Sequence, residues 1–520
     1  MDLVLTLQDK NTQKVFTNVY IMNKTTNLYE IKYSIENSTR NPFIADLGDE
    51  RGMNMILYKE GRRIFLTFNT NGDATEKEFS SLIPSNLNIC DASAKHNQYE
   101  IISHNSNGYV DIDGDCLNDL LIMSIDKSNQ KYLEIWKGVL ENNQIKYCLT
   151  SSNVYPLDSN FGLFSIVDVD RNAMPDIVFP VLNSYPPKIV VAYNKVAIKY
   201  DWTDNYCDTH EATSIDDGTI PTFFEQIKID VNNNFIATIT LTNDEQVTFY
   251  TNNNDDSDFL RFIDINQDSY PDFITILYNK SSTAKTPFIF LSQEIIYSSS
   301  YKGDERRTFS KENIYSFSSI SNANFASFFD FGDKGKMGVI VTDASLNTYG
   351  LYNHNVYDTY SMKSFLLFKT NCFFCSELGS SQRFITTNID GTRRMDLSVQ
   401  AAQPSVALMP SFAYIGIGRS NNYIENFHII SGNEAKRSDN DKVYTPVIPN
   451  SQLVIFHDKK EGGTSWKVDL IVKPTKNLKL LIFAIVLMIV IMTAVAVYLQ
   501  MKEREEDSIE NKETFAPWFG

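Results

Sequence analysis

Positive charge, cysteine and histidine are all in short supply in this sequence. Against 64 acidic residues stand 47 lysines and arginines, giving a net charge of −17 over 520 residues. A nucleic-acid surface needs clustered Lys and Arg to meet phosphate, so that class of partner is excluded. The six histidines (96, 104, 210, 354, 428 and 457) are scattered, with no H-E-x-x-H, and no G-x-S-x-G turn occurs. Nothing nominates a catalytic nucleophile or base, and no enzyme is expected. Six cysteines are few for a chain of this length. Cys372 and Cys375 form the one C-x-x-C. A zinc ribbon needs a second such pair, and a redox site needs the motif to open a helix, for which no pattern follows. A local structural disulfide between Cys372 and Cys375 is the expectation. Gly416-Ile417-Gly418 lacks the third glycine and the helix of a nucleotide fingerprint, so a tight turn between strands is expected there. A secretory leader is also missing: MDLVLTLQDK begins acidic, and its apolar run is too short.

What is present is clearest near the end. Leu480 to Leu499 is 20 residues without a charge. At about 1.5 Å per residue this run matches the thickness of a bilayer's hydrocarbon core, and a membrane span is expected over 480–499. Lysines and arginines flank both sides (Lys473, Lys476 and Lys479; Lys502, Arg504 and Lys512), so charge bias gives no orientation. Read literally, one span near the end of a leaderless chain is a tail anchor. The 19 residues after Met501 are too few for a domain and read as disordered, with FAPWFG as a candidate docking motif.

The second signal is VDIDGDCLNDLLI, residues 110–122, which crowds Asp111, Asp113, Asp115 and Asp119 onto nine positions. Carboxylates this close repel unless something positive sits among them. A hard cation with oxygen ligands, calcium above all, suits them. The spacing one, three, five, nine recurs as Asp168, Asp170, Asn172 and Asp176, and again as Asp264, Asn266, Asp268 and Asp272. Weaker copies start at Asp46 and Asp330. In the latter, Lys334 at the fifth position puts a positive charge where an ion would sit. The starts at 46, 111 and 168 lie 65 and 57 residues apart, and 264 to 330 is 66. The 96 residues from 168 to 264 hold an insertion or a decayed copy near DVNNNFIAT. An EF-hand would need Gly at six and Glu at twelve, where Cys116 and Ile122 stand. Cys116 is expected to be a packed thiol, because sulfur suits softer metals. The runs that follow, LLIMSI, DIVFPV and FITILY, are β-branched and aromatic and of strand length. Acidic loops between strands, repeated every 60 or so residues, suggest a β-propeller with one blade per repeat. A polar turn without metal is the alternative for any single loop.

These loops resemble the FG-GAP calcium repeats of integrin alpha chains, and Phe161-Gly162 stands just ahead of Asp168. With IGIGRSNNYIENFHI (415–429), YTPVIPNSQLVIF (444–456) and the single span, the whole chain resembles the T-cell immunomodulatory protein family of integrin-alpha FG-GAP repeat-containing proteins. The resemblance implies an all-β ectodomain: a seven-bladed propeller, then a C2-like β-sandwich, then one transmembrane helix. It also implies a type I membrane glycoprotein. MDLVLT reads as the end of a repeat, so residues upstream, including a leader and about one blade, are expected.

The expected layout is a propeller over 1–355, a sandwich over 356–472, the span, and a cytosolic tail over 501–520. Asn23, Asn37 and Asn279 open sequons and are expected to carry glycans if they face the lumen. The pairing of Cys90, Cys116, Cys148 and Cys207 stays open. The expected role is protein binding at the cell surface, in adhesion or immunomodulation, with structural calcium on one rim of the propeller. A secretory-pathway factor assisting other membrane proteins is the alternative, and an ectoenzyme the third.

Overall fold

A computed structural model describes residues 3–8, 15–23, 26, 28–36, 42–47, 54–68, 74–85, 88–102, 107–194, 196, 207, 223–224, 235–240, 247–252, 256–257, 260–294, 307–312, 317, 319–320, 322–332, 335–354, 359–368, 375–387, 391, 393–400, 403, 412–419, 423–460, 463–471 and 478–515. The chain divides into two units, Met1–Leu470 and Ile471–Gly520.

The first unit is built of mostly antiparallel sheets that follow one another along the chain. Phe43–Ala45, Asn54–Lys59, Arg62–Phe68 and Ala74–Glu78 make a four-stranded meander. Gly108–Val110, Asp119–Ile125, Lys131–Glu141 and Gln144–Cys148 make the next. Two more begin at Ser165–Val167 and Arg261–Ile263, and Ala323–Phe329 opens a three-stranded one. Their central strands are nearly continuous apolar runs because both faces are buried, and alternate residues reach opposite neighbours. Leu120 and Ile122 join the core shared with the sheet before, while Leu121 and Met123 join the core shared with the sheet after. Phe273 and Leu277 against Ile274 and Ile276 repeat that division further on. No closed ring of sheets is traced by the described residues. In one respect the layout departs from one sheet per repeat. Phe235–Thr240 is the outer strand of the meander opened by Ser165–Val167, and it pairs in parallel with Arg307–Lys311 of the next. The two therefore share a nine-stranded sheet.

Two sheets then pack face to face. One contains Tyr360–Phe368, Cys375–Ser376, Ala413–Gly418, Gln452–Lys460 and Gly463–Ile471; the other Ser380–Thr387, Arg393–Gln400, Asn426–Ile430 and Asp441–Tyr444. Met362, Leu366, Ile415 and Ile455 from the first meet Phe384, Phe427 and Ile429 from the second. In the second unit, a helix runs from Leu478 to Phe515 and carries the apolar span. It does not stop at the span's end, as the disordered tail expected after Met501 would require. KEREEDSIENKETF is rich in good helix formers, and Lys502 and Glu506 pair one turn apart at 3.7 Å.

Candidate metal-binding loops

The three strong acidic loops are the same object built three times. In each, the residue before position one pairs directly with the aspartate at position nine: Val110 with Asp119, Val167 with Asp176, Ile263 with Asp272. The ninth carboxylate accepts the N–H of position two at 2.9, 2.9 and 3.0 Å. Its other oxygen accepts an N–H from the next strand or from just beyond its end, of Gly138, Asn194 or Ser292. The first aspartate accepts the N–H of position six, which is Cys116, Ala173 or Ser269. Positions four and six all have positive φ, between 61° and 80°, although only Gly114 among the six is a glycine. A non-glycine residue pays for that conformation, so the surrounding hydrogen bonds must hold it. The weak copies keep fragments of the plan. Asn54 accepts the N–H of Leu47 at 3.0 Å, and Asp330 that of Gly335 at 3.1 Å. Lys334 lies outside the described residues; there Asp330 is instead paired with Lys363.

Electrostatics separates the loops. In the second and third, burial first and then mutual repulsion push Asp168, Asp176, Asp264 and Asp272 well above the usual carboxylate range. Among the described residues no lysine or arginine pairs with any of the four. Arg171, inside the second loop, turns away to grip Asp396. One oxygen each from Asp168, Asp170 and Asp176 lies within 4.8 Å of the others, and so does one oxygen each from Asp111, Asp113 and Asp115 in the first loop. This all-oxygen donor set fits a hard cation. The first loop differs. Burial raises Asp111, Asp115 (to about 7) and Asp119, but the Lys137 ammonium sits among them, 2.5 Å from Asp113 and 2.7 Å from Asp115. Arg383 and Arg437 approach Asp111 and Asp115 at 3.5 and 3.4 Å. Something positive does sit in that loop, and it belongs to the protein. The cluster of Cys207, His428 and Asp441 offers no thiolate, because Cys207 is bonded to Cys116.

All three loops face the β-sandwich. Asn118 donates its backbone N–H to the Gly432 carbonyl and its side-chain amide to the Ser431 carbonyl. Arg383 donates to the carbonyl of Ala173, Leu397 donates its N–H to Asp168 at 3.0 Å, and Gln267 donates to the Tyr414 hydroxyl at 2.9 Å. Residues 413–418 form a strand, not the expected turn. A Cβ on Gly416 would lie 1.6 Å from the Asp264 carboxylate, so its glycine makes room for the third loop. Cys116 is not a packed thiol: with a φ of 68°, its side chain joins Cys207, and Cys90 joins Cys148. Cys372 lies outside the described residues, and so do Asn37 and the side chains of Asn23 and Cys375. Asn279 sits at a hairpin end, half-buried, its Oδ1 accepting the N–H groups of Ser281 and Ser282. Lys137, Arg383 and Arg437 escaped the sequence reading. A lysine within the run KYLEIWKGVLE was the one available signal.

Residues 374–471 match the family described as ITFG1, C2 domain. That match leaves out Tyr360–Phe368, the strand to which three others of its sheet pair. The chain is similar to a T-cell immunomodulatory protein homolog of Plasmodium yoelii yoelii, 22% identical over 98% of this chain and 79% of that protein. A homolog of the same name from Plasmodium falciparum (isolate 3D7) is 22% identical over 84% of this chain and 64% of its own length. The T-cell immunomodulatory protein of Homo sapiens is 24% identical over 48% of this chain and 43% of its own length. This chain thus spans less than two thirds of the last two. A solved structure of AofleA from Arthrobotrys oligospora aligns at a TM-score of 0.30 and 10% identity, over 69% of this chain and 81% of that one, too distant to carry an argument.

Proposed function

Because the chain belongs to the T-cell immunomodulatory protein family, we propose that it is a single-pass type I membrane glycoprotein whose ectodomain binds a protein partner at the cell surface or in the secretory lumen. The observation that carries this reading is the pair of disulfides, Cys90–Cys148 and Cys116–Cys207, in the same unit as the sandwich. Such cross-links persist in oxidising compartments and not in the cytosol. The apolar helix Leu478–Phe515 supplies the anchor. Sheets that share a core with the sheet before and the sheet after are read as blades of an FG-GAP propeller. Asp168, Asp170, Asn172 and Asp176 would hold one calcium ion, and Asp264, Asn266, Asp268 and Asp272 another. The ion's part is to neutralise buried carboxylates that otherwise repel. The role is binding rather than turnover, in adhesion or immunomodulation as the relatives' name suggests.

The test is topology, on the chain expressed from its native gene in its own cells. Residues 1–470 should survive protease added outside intact microsomes. Peptide N-glycosidase should increase the protein's mobility, by less once Asn279→Gln has removed a site. Digestion of the N-terminal unit, with no mobility change, puts it in the cytosol and ends this reading. A steady-state position in internal membranes, with lumenal topology, would move the role to assisting other membrane proteins.

A further inference from the structure

We propose that the Asp111 loop carries its own cation, the Lys137 side chain, and takes no calcium. Lys137 follows Trp136, which pairs with Leu120, so it stands directly across from Asp119. The same position is held by Tyr193 across from Asp176 and by Leu291 across from Asp272. Only the first of the three equivalent sites thus has a lysine. Its ammonium lies 2.5 Å from Asp113, 2.7 Å from Asp115 and 4.0 Å from Asp119, with all four side chains at most 1% exposed. Calcium binds oxygens at about 2.3–2.6 Å, so an ion would need the volume the ammonium fills. Nor can the lysine swing out. It sits within Lys131–Glu141, a strand paired on both sides, between Trp136 and Gly138. A Cβ on Gly138 would itself meet the Asn118 carbonyl at 2.7 Å, so the strand lies hard against the loop.

Charge points the same way. Arg383 and Arg437 from the sandwich join Lys137, so three cations already nearly balance four carboxylates, and a divalent ion would overshoot neutrality by one charge. Burial alone would push the ammonium down, but Asp113, Asp115 and Asp119 outweigh it and keep the lysine charged. The weak loop at Asp330 shows the same solution from the other side, with Lys363 of the sandwich supplying the charge. Two of these loops are therefore closed by an ammonium. The contact between the first loop and the sandwich, through Asn118, Arg437 and Asn440, is consequently independent of calcium. The contrast with the Asp168 and Asp264 loops rests on the calcium reading above; the assignment of the Asp111 loop does not.

Bound calcium is counted by equilibrium dialysis on the full chain purified in detergent. Asp115→Asn should leave the wild-type count unchanged. Lys137→Met, which removes the charge and keeps much of the length, should bind one more ion per chain than wild type and regain in calcium the melting temperature it loses in chelator. A count that falls by one on Asp115→Asn overturns the proposal, as does a folded Lys137→Met that binds no additional ion. If Lys137→Met folds in neither condition, the Asp115→Asn count decides alone. A wild type without any bound calcium would contradict the reading of the Asp168 and Asp264 loops, while a gained ion in Lys137→Met would still uphold this one.

Discussion

At the scale of single residues, the decisive positions carry no motif. Gly416 is one: the Asp264 carboxylate occupies the place of its missing Cβ. Gly416→Ala should cost about 1–3 kcal/mol, the usual range for overpacking, and lower the melting temperature. The effect should shrink in an Asp264→Ala background, since residues in contact do not add. Glu134 is another. It is buried with Arg63 at 2.7 Å, His96 at 3.0 Å and the Trp136 indole at 2.7 Å. Burial pushes its carboxyl up, but the Arg63 charge and the hydrogen bonds from His96 and Arg63 prevail and bring it down from 4.5 to about 2. A depressed folded pKa gives stability that is complete above the unfolded value and is lost as pH falls toward 2. The contribution is on the order of 3 kcal/mol. Denaturant melts of wild type should weaken between pH 5 and 2, and Glu134→Gln should flatten that loss while costing about 3–5 kcal/mol at neutral pH by leaving Arg63 unpaired. The acidic positions themselves were legible because their spacing repeats. Lys137, Arg383 and Glu134 were not, because a charged residue in a strand reads as a solvent-facing one until the fold buries it.

At the scale of elements, legibility followed periodicity. LLIMSI, DIVFPV and FITILY announced strands, and each begins beside or at the ninth aspartate, where the hairpin register is fixed. The span was equally plain. Val490→Arg, near its middle, should cost about 2.5–3.5 kcal/mol of insertion free energy and shift the chain from the carbonate-resistant membrane pellet toward the supernatant; full retention would argue against a spanning role. What failed were elements whose local signal points elsewhere. IGIG looks like a turn because glycine favours turns, yet its first glycine serves close approach within a strand. The segment after Met501 looks disordered because it is charged, yet its Glu and Lys extend the preceding helix. The parallel pairing of Phe235–Thr240 with Arg307–Lys311 has no sequence signature at all, since nothing local encodes a partner so far along the chain.

At the scale of the first unit as a whole, the loops are where the successive meander sheets and the sandwich meet, through Leu397 on Asp168, Tyr414 on Gln267 and Gly416 on Asp264. That docking was invisible in the sequence, which shows spacing within an element but not what lies across from it. It gives the loops a structural place: they hydrogen-bond one sheet system to another, and their buried carboxylates repel one another. Calcium in the Asp168 and Asp264 loops would supply the neutralising charge. With about 1 mM calcium and a Kd near 0.1 mM, each site contributes about 1.4 kcal/mol, or roughly 3 kcal/mol for the pair if they add. The direct measurement is the melting temperature of the purified chain in calcium and in chelator, repeated with Asp176→Asn and Asp272→Asn combined. The account predicts a melting temperature several degrees higher in calcium, and no calcium response in the double variant. Equal melting temperatures in calcium and chelator, or a response that survives both substitutions, would show that these loops are turns and not metal sites.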